Sequence, residues 1–92
     1  MVEKLSYQIA DGAIAQEIAG ESVILDLTSE SYFGLNEVGT RIWSGLAEGL
    51  DNQGILNLLV EEYDAPAQVL QRDLLEILAS LETAGLIEPA SA

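Results

Sequence analysis

The sequence predicts an α+β domain in which a three-stranded antiparallel sheet precedes three helices. Three observations carry this expectation. Aliphatic and β-branched stretches broken by polar turns fill the first third of the chain, which is a strand pattern. At Asn36 the apolar spacing changes to that of helices and keeps it as far as Gly85. With 49% apolar residues and a mean hydropathy of +0.25, the chain is too hydrophobic for charge-driven disorder. Its 92 residues make one domain, and such a domain hides roughly 60–70% of the surface its unfolded chain exposes.

Each element has its own signal. Ala13–Ala19 reads as the first strand, and Gly20-Glu21 punctuates it. Ser22–Leu27, rich in Val, Ile and Leu, reads as the second. Thr28-Ser29-Glu30-Ser31 has turn chemistry, and Tyr32-Phe33-Gly34-Leu35 forms the third strand. Asn36 is a good N-cap for the first helix, with Glu37 placed to complement the helix dipole. Val38, Ile42, Trp43 and Leu46 recur at helical spacing, and Gly49 ends the segment. Asp51 caps a second helix through Ile55, Leu58, Leu59 and Glu62, in which Gly54 costs about 1 kcal/mol relative to Ala. Pro66 suits the first turn of a third helix. That helix carries Leu70, Leu74, Ile77, Leu78 and Leu81 on one face and stops at Gly85. Leu86-Ile87 then folds back as an apolar clasp. A three-stranded sheet with helices on one face leaves at least one edge open.

Composition excludes several functions. Sixteen acidic groups against three basic ones give a formal net charge of −13. Lys4, Arg41 and Arg72 cannot neutralise phosphates against such a field, so no nucleic acid is expected as a partner. An anionic membrane surface is disfavoured for the same reason. The absence of Cys and His removes thiol nucleophiles, disulfides and the common zinc sites. No calcium loop, P-loop or dinucleotide fingerprint is present. The serines have no base to activate them. Glu61, Glu62 and Asp64 cluster where the second helix ends, a usual place for a solvated acidic surface. The chain is therefore expected to be no enzyme and to need no cofactor. No apolar run approaches a membrane span of about 20 residues, and the amino terminus lacks a signal-peptide layout, so the expected location is the cytoplasm.

Among the larger side chains, Trp43 falls on the apolar face with Ile42 and Leu46 and reads as a core anchor. Tyr32 and Phe33 are adjacent on a strand and so face opposite ways. Leu75 lies off the centre of the third helix's apolar face, where it can line a pocket beside a strand edge.

The order of these pieces resembles the PqqD-like family. An aliphatic-Asp strand, Leu25-Asp26-Leu27, leads to an aromatic-Gly-Leu-Asn step, Phe33-Gly34-Leu35-Asn36, and a helix reaching Ile42-Trp43. Asp73-Leu74-Leu75-Glu76-Ile77-Leu78, Leu81 and Gly85-Leu86-Ile87 match the family's last helix and exit, so the resemblance covers roughly residues 12 to 88. It implies a winged-helix-like fold and a single peptide-recognition domain over residues 1–92. It further implies a partner: the leader of a ribosomally made, post-translationally modified precursor peptide, added as a strand against the third strand beside the third helix. The leader's core would be presented to a modifying enzyme, such as a radical SAM enzyme or a leader peptidase. Proteins of the pyrroloquinoline quinone pathway typically carry a Tyr-Pro-Glu-Gly-type segment before the Leu-Asn step. Thr28–Gly34 stands there instead, as in stand-alone members, including those of lasso-peptide clusters.

Strand addition identifies the expected site. The backbone of Ser31, Tyr32, Phe33, Gly34 and Leu35 would pair with the peptide, with Ser31, Phe33 and Leu35 on one face and Tyr32 and Gly34 on the other. On the third helix Val69, Asp73, Glu76 and Ser80 form one flank and Leu75, Leu78 and Glu82 the other. The Val69–Asp73–Glu76 flank is expected to border the sheet. Arg72 can pair with a leader carboxylate or, more locally, with Glu76 one turn on. Three alternatives stand beside this reading. A DNA-binding winged helix lacks the basic residues it needs. An adaptor would dock onto a partner enzyme without touching the leader. A stand-alone enzyme has no sequence feature to support it. Separately from these, the open edge permits a self-paired homodimer as well as a monomer.

Overall fold

The computed structural model describes residues 6–90. Its elements run β1 (Tyr7–Ile9), β2 (Ala13–Ile18), β3 (Glu21–Asp26), β4 (Ser31–Leu35), α1 (Glu37–Ala47), α2 (Asn52–Glu62), α3 (Ala67–Thr83) and β5 (Ile87–Pro89). β2, β3 and β4 form the expected antiparallel meander in that order. The architecture is α+β, with a three-stranded sheet followed by three helices. One feature lies outside the expectation. The clasp after Gly85 is itself a strand, β5, paired antiparallel with β1 from Tyr7↔Pro89 to Ile9↔Ile87.

The local signals act where they stand in the chain. The Asn36 carboxamide accepts the Gly39 N–H at 2.9 Å, and the Asp51 carboxylate accepts the Gly54 N–H at 2.8 Å. Gly49 and Gly85 follow their helices at φ +84° and +79°, which side chains resist. Pro66 sits one position earlier than expected, at the N-cap of α3, and supplies no side-chain bond there. Gly45 serves packing: a Cβ there would stand 2.9 Å from Ile55 Cγ1, so glycine lets α1 and α2 cross closely. Asp51→Ala is expected to cost about 1 kcal/mol, or roughly 5 °C in Tm for a domain of this size, measured by thermal melting.

The core gathers Ile24 and Leu35 from the sheet, Ile42, Trp43 and Leu46 from α1, Ile55, Leu56 and Leu59 from α2, and Leu70, Leu74, Leu78 and Leu81 from α3. Leu86 and Ile87 close it, so the predicted clasp does pack back. Between sheet and helices the buried Thr40 hydroxyl donates to Ser22 at 2.9 Å and ties α1 to β3. α1 packs on both β3 and β4, whereas α3 packs on α1, α2 and β5. That arrangement holds α3 beside β4 and leaves a groove between them.

Candidate functional site: the groove between β4 and α3

Among the described residues β4 is an edge strand, so one row of its backbone N–H and C=O groups has no strand partner there. The alternation expected for it holds. Leu35 is buried and Phe33 half-buried on the helix side, while Tyr32 faces outward at 78% exposure. The β2 edge is open as well, but every residue from Ile14 to Ile18 is exposed, and no helix walls it.

Beside β4 the wall is α3. A hollow of about 380 Å³ lies between Phe33, Gly34, Leu35 and Asn36 on one side and Glu76, Ile77 and Ser80 on the other. It continues past Ser80 to Ala79, Thr83 and Ala84 at one end, and past Asn36 to Val38 and Asp73 at the other. From Asp73 to Ala84 the helix axis covers roughly 16 Å, and from Ser31 to Leu35 the strand covers roughly 14 Å. The two walls are of similar length.

Phe33, Gly34, Leu35, Asp73 and Glu76 thus come together around one groove. Ser31 and Tyr32 belong to the same strand but stay outside the lining. Val69 lies a turn beyond Asp73, exposed and off the groove. Arg72 lies on the solvent side of α3 with Gln68 and Leu75, in a hollow that Glu76 and Ala79 share with the groove, and it makes no ion pair with Glu76. Among the described residues the one ion pair joins Arg41 to Glu62, at 2.6 Å. Leu75 is half-exposed on that same solvent stripe, away from the strand edge. Asn36, Ile77 and Ser80 are lining residues that sequence reasoning used otherwise, as a cap, a core position and a flank. Their signal is the helical step from Asp73 to Glu76, Ile77 and Ser80.

A second surface lies on the other side of the sheet. The register sets Ile14 opposite Leu25 and Leu25 opposite Tyr32, with Val23 between Gln16 and Gly34 in the next row. Ile14, Ile18, Val23, Leu25, Leu27 and Tyr32 are all exposed there, and no helix among the described residues covers them.

Of the acidic cluster at the end of α2, Glu62 is engaged by Arg41, whose guanidinium grips its carboxylate through two nitrogens. That hydrogen bond to Glu62 raises the Arg41 pKa above its ordinary value. Burial, with the charges of Glu37 and Glu62 behind it, pushes the neighbouring Tyr63 phenol above its ordinary range. Among the described residues no three acidic side chains converge to hold a metal ion, and no helix is long and apolar enough to cross a membrane.

No curated protein matches the chain. Among solved structures, TbiB1 in complex with the TbiA(beta) leader peptide aligns with 35% identity and a TM-score of 0.85, covering 92% of this chain and 99% of TbiB1. A lasso peptide synthetase B1 complexed with its leader peptide shares the fold, with a TM-score of 0.82 at 23% identity over 91% of this chain and 99% of that one. The family model for coenzyme PQQ synthesis protein D matches residues 21–87, from the start of β3 to the start of β5. The chain belongs to the PqqD family.

Proposed function

We propose that this protein is a recognition element without catalytic activity of its own, which binds the leader of a ribosomally made precursor peptide as a fourth strand on β4. The observation that carries this reading is the unpaired β4 edge facing a helical wall of similar length. The likeness to TbiB1, solved with a leader peptide, supports it. Backbone pairing supplies affinity, and the side chains of Phe33, Ile77 and Ser80 supply selection among peptides. A Kd near 1 μM corresponds to about −8 kcal/mol, enough for a precursor that must later be released. Residues 1–92 act as one such domain, in the cytoplasm where precursors are made.

Delivery needs a second contact, and the outer face of the sheet suits it. Its occupant is the modifying enzyme, through an apolar patch rimmed by Lys and Arg. Residues 11–37, which carry this face, hold six carboxylates and no basic residue. The same charge opposes a second copy of the chain, so the protein acts as a monomer. Because this face adjoins β4, peptide and enzyme are held side by side. Leu25→Glu is expected to weaken enzyme binding by about tenfold or more. The same change should leave leader affinity within about twofold, with both measured by calorimetry.

The test of the reading is a titration of labelled protein with the leader of its precursor. Amide shifts should move at 31–36 and 73–84. Shifts confined to Glu61–Asp64 would sink it. An unchanged spectrum alongside tight enzyme binding would favour the adaptor, which the outer face alone supports.

A further inference from the structure

We infer that Asp73 and Glu76 read one Lys or Arg of the bound strand and thereby fix its register in the groove. This rests on the peptide-binding reading above and adds the chemistry of the peptide to it. Strand addition is by itself nearly blind to register. A peptide slid by two residues along β4 recovers the same backbone bonds and keeps the same faces, so a side-chain contact must pin it.

The groove supplies such a contact at one end only. At the far end Ala79, Thr83 and Ala84 are small and uncharged. At the near end Asp73 and Glu76 project beside Asn36 and Val38. Residues three apart on a helix stand about 5–6 Å from each other at Cβ, so a single ammonium or guanidinium can meet both carboxylates. Neither carboxylate is engaged by an ion pair or side-chain hydrogen bond among the described residues. Asp73 is half-buried and lines the near end of the groove together with Ile77 and Val38. A cation there meets its partners at a lower effective dielectric than on the open surface, so the attraction is local. The net charge of −13 draws any basic peptide toward the chain but favours no position within it. With about five residues paired and alternate side chains turned inward, two or three positions face the groove. One of them falls between Asp73 and Glu76.

The probe is a displayed library of random nonapeptides selected on the full chain, since it presumes no leader sequence. Selected peptides are expected to carry Lys or Arg at one fixed spacing from their apolar positions. Repeating the selection on Asp73→Asn/Glu76→Gln should remove that preference. For one selected peptide, changing the basic residue to Gln should weaken binding to the unaltered protein about fivefold, and to the double variant less than twofold. Glu48→Gln/Glu61→Gln, with acids removed from α1 and α2, should keep the fivefold loss. A reversed pair, Glu76→Lys with Glu in the peptide, should recover affinity, which also shows that the altered helix still folds. Binders that shift β4 amides but carry no positional cation, or that lose equally on both proteins, overturn the charge reading and leave the groove intact. A selection without binders, or with binders that leave β4 unshifted, overturns the peptide-binding reading and this inference with it.

Discussion

Ser80→Trp is expected to weaken leader binding by about a hundredfold or more while leaving the fold intact. Ser80 is exposed on α3 and lines both the central hollow, with Phe33 and Ile77, and its extension toward Ala84. An indole there fills the space an added strand needs, and the peptide can no longer reach the β4 edge in extended form. About 2.7 kcal/mol accounts for a hundredfold loss, a third of the free energy of a micromolar complex. The cost to the fold is small, because no buried neighbour is displaced and helix propensity changes by only tenths of a kcal/mol. Two controls separate blockage from damage. Gln68→Trp places the same ring on the solvent stripe of α3 and should leave affinity within about twofold, since additivity holds for remote sites. Ser80→Ala should do the same, because the hydroxyl has no partner to lose. Isothermal titration with thermal melts of each variant decides the matter. Undiminished affinity in Ser80→Trp places the peptide elsewhere.

What the sequence revealed and what it concealed divide along the range of the interactions. Asn36, Asp51, Gly49 and Gly85 act within four residues of themselves, so the helix ends were legible to within a residue. The opposite facing of Tyr32 and Phe33 follows from the pleat alone and holds in the structure. The β1–β5 pair was illegible because its three-residue strands bond across about eighty residues, as in the Gln8 side chain donating to Glu88 at 2.8 Å. Neither strand has a period long enough to show. In the groove, Asp73 and Glu76 of the expected flank of α3 stand beside β4, whereas Val69 lies a turn beyond it. Helical spacing says which residues share a face, yet it does not say where along the helix a neighbouring strand stops. Arg72 illustrates the same gap. Its i+4 partner Glu76 was the local expectation, yet the two form no ion pair although both line the hollow on the open side of α3 with Leu75.

The largest effect on stability is expected at Ile24, the fully buried side chain of β3 and the register partner of Phe33. Ile24→Ala removes buried methyl groups and leaves a cavity, a change worth about 2–5 kcal/mol. A domain of this length holds together by roughly 5–14 kcal/mol in all, so Tm should fall by about 10–25 °C. Ile24→Val, which trims one methylene, should cost only about 1 kcal/mol. The site makes the prediction sharper than a melting point alone. Ile24 sits on the same face as Phe33 and Leu35, so it holds the groove's sheet wall against the helices that carry the other wall. Loosening that contact lowers the fraction of molecules with a formed groove, and apparent affinity falls in the same proportion. Ligand then works in reverse. Leader at about a hundred times its Kd stabilises the bound form by about 2.7 kcal/mol, so it should recover most of the Tm lost in the weaker variant. A variant that melts early and is not raised by leader would mean that the sheet and the peptide site are not coupled through Ile24.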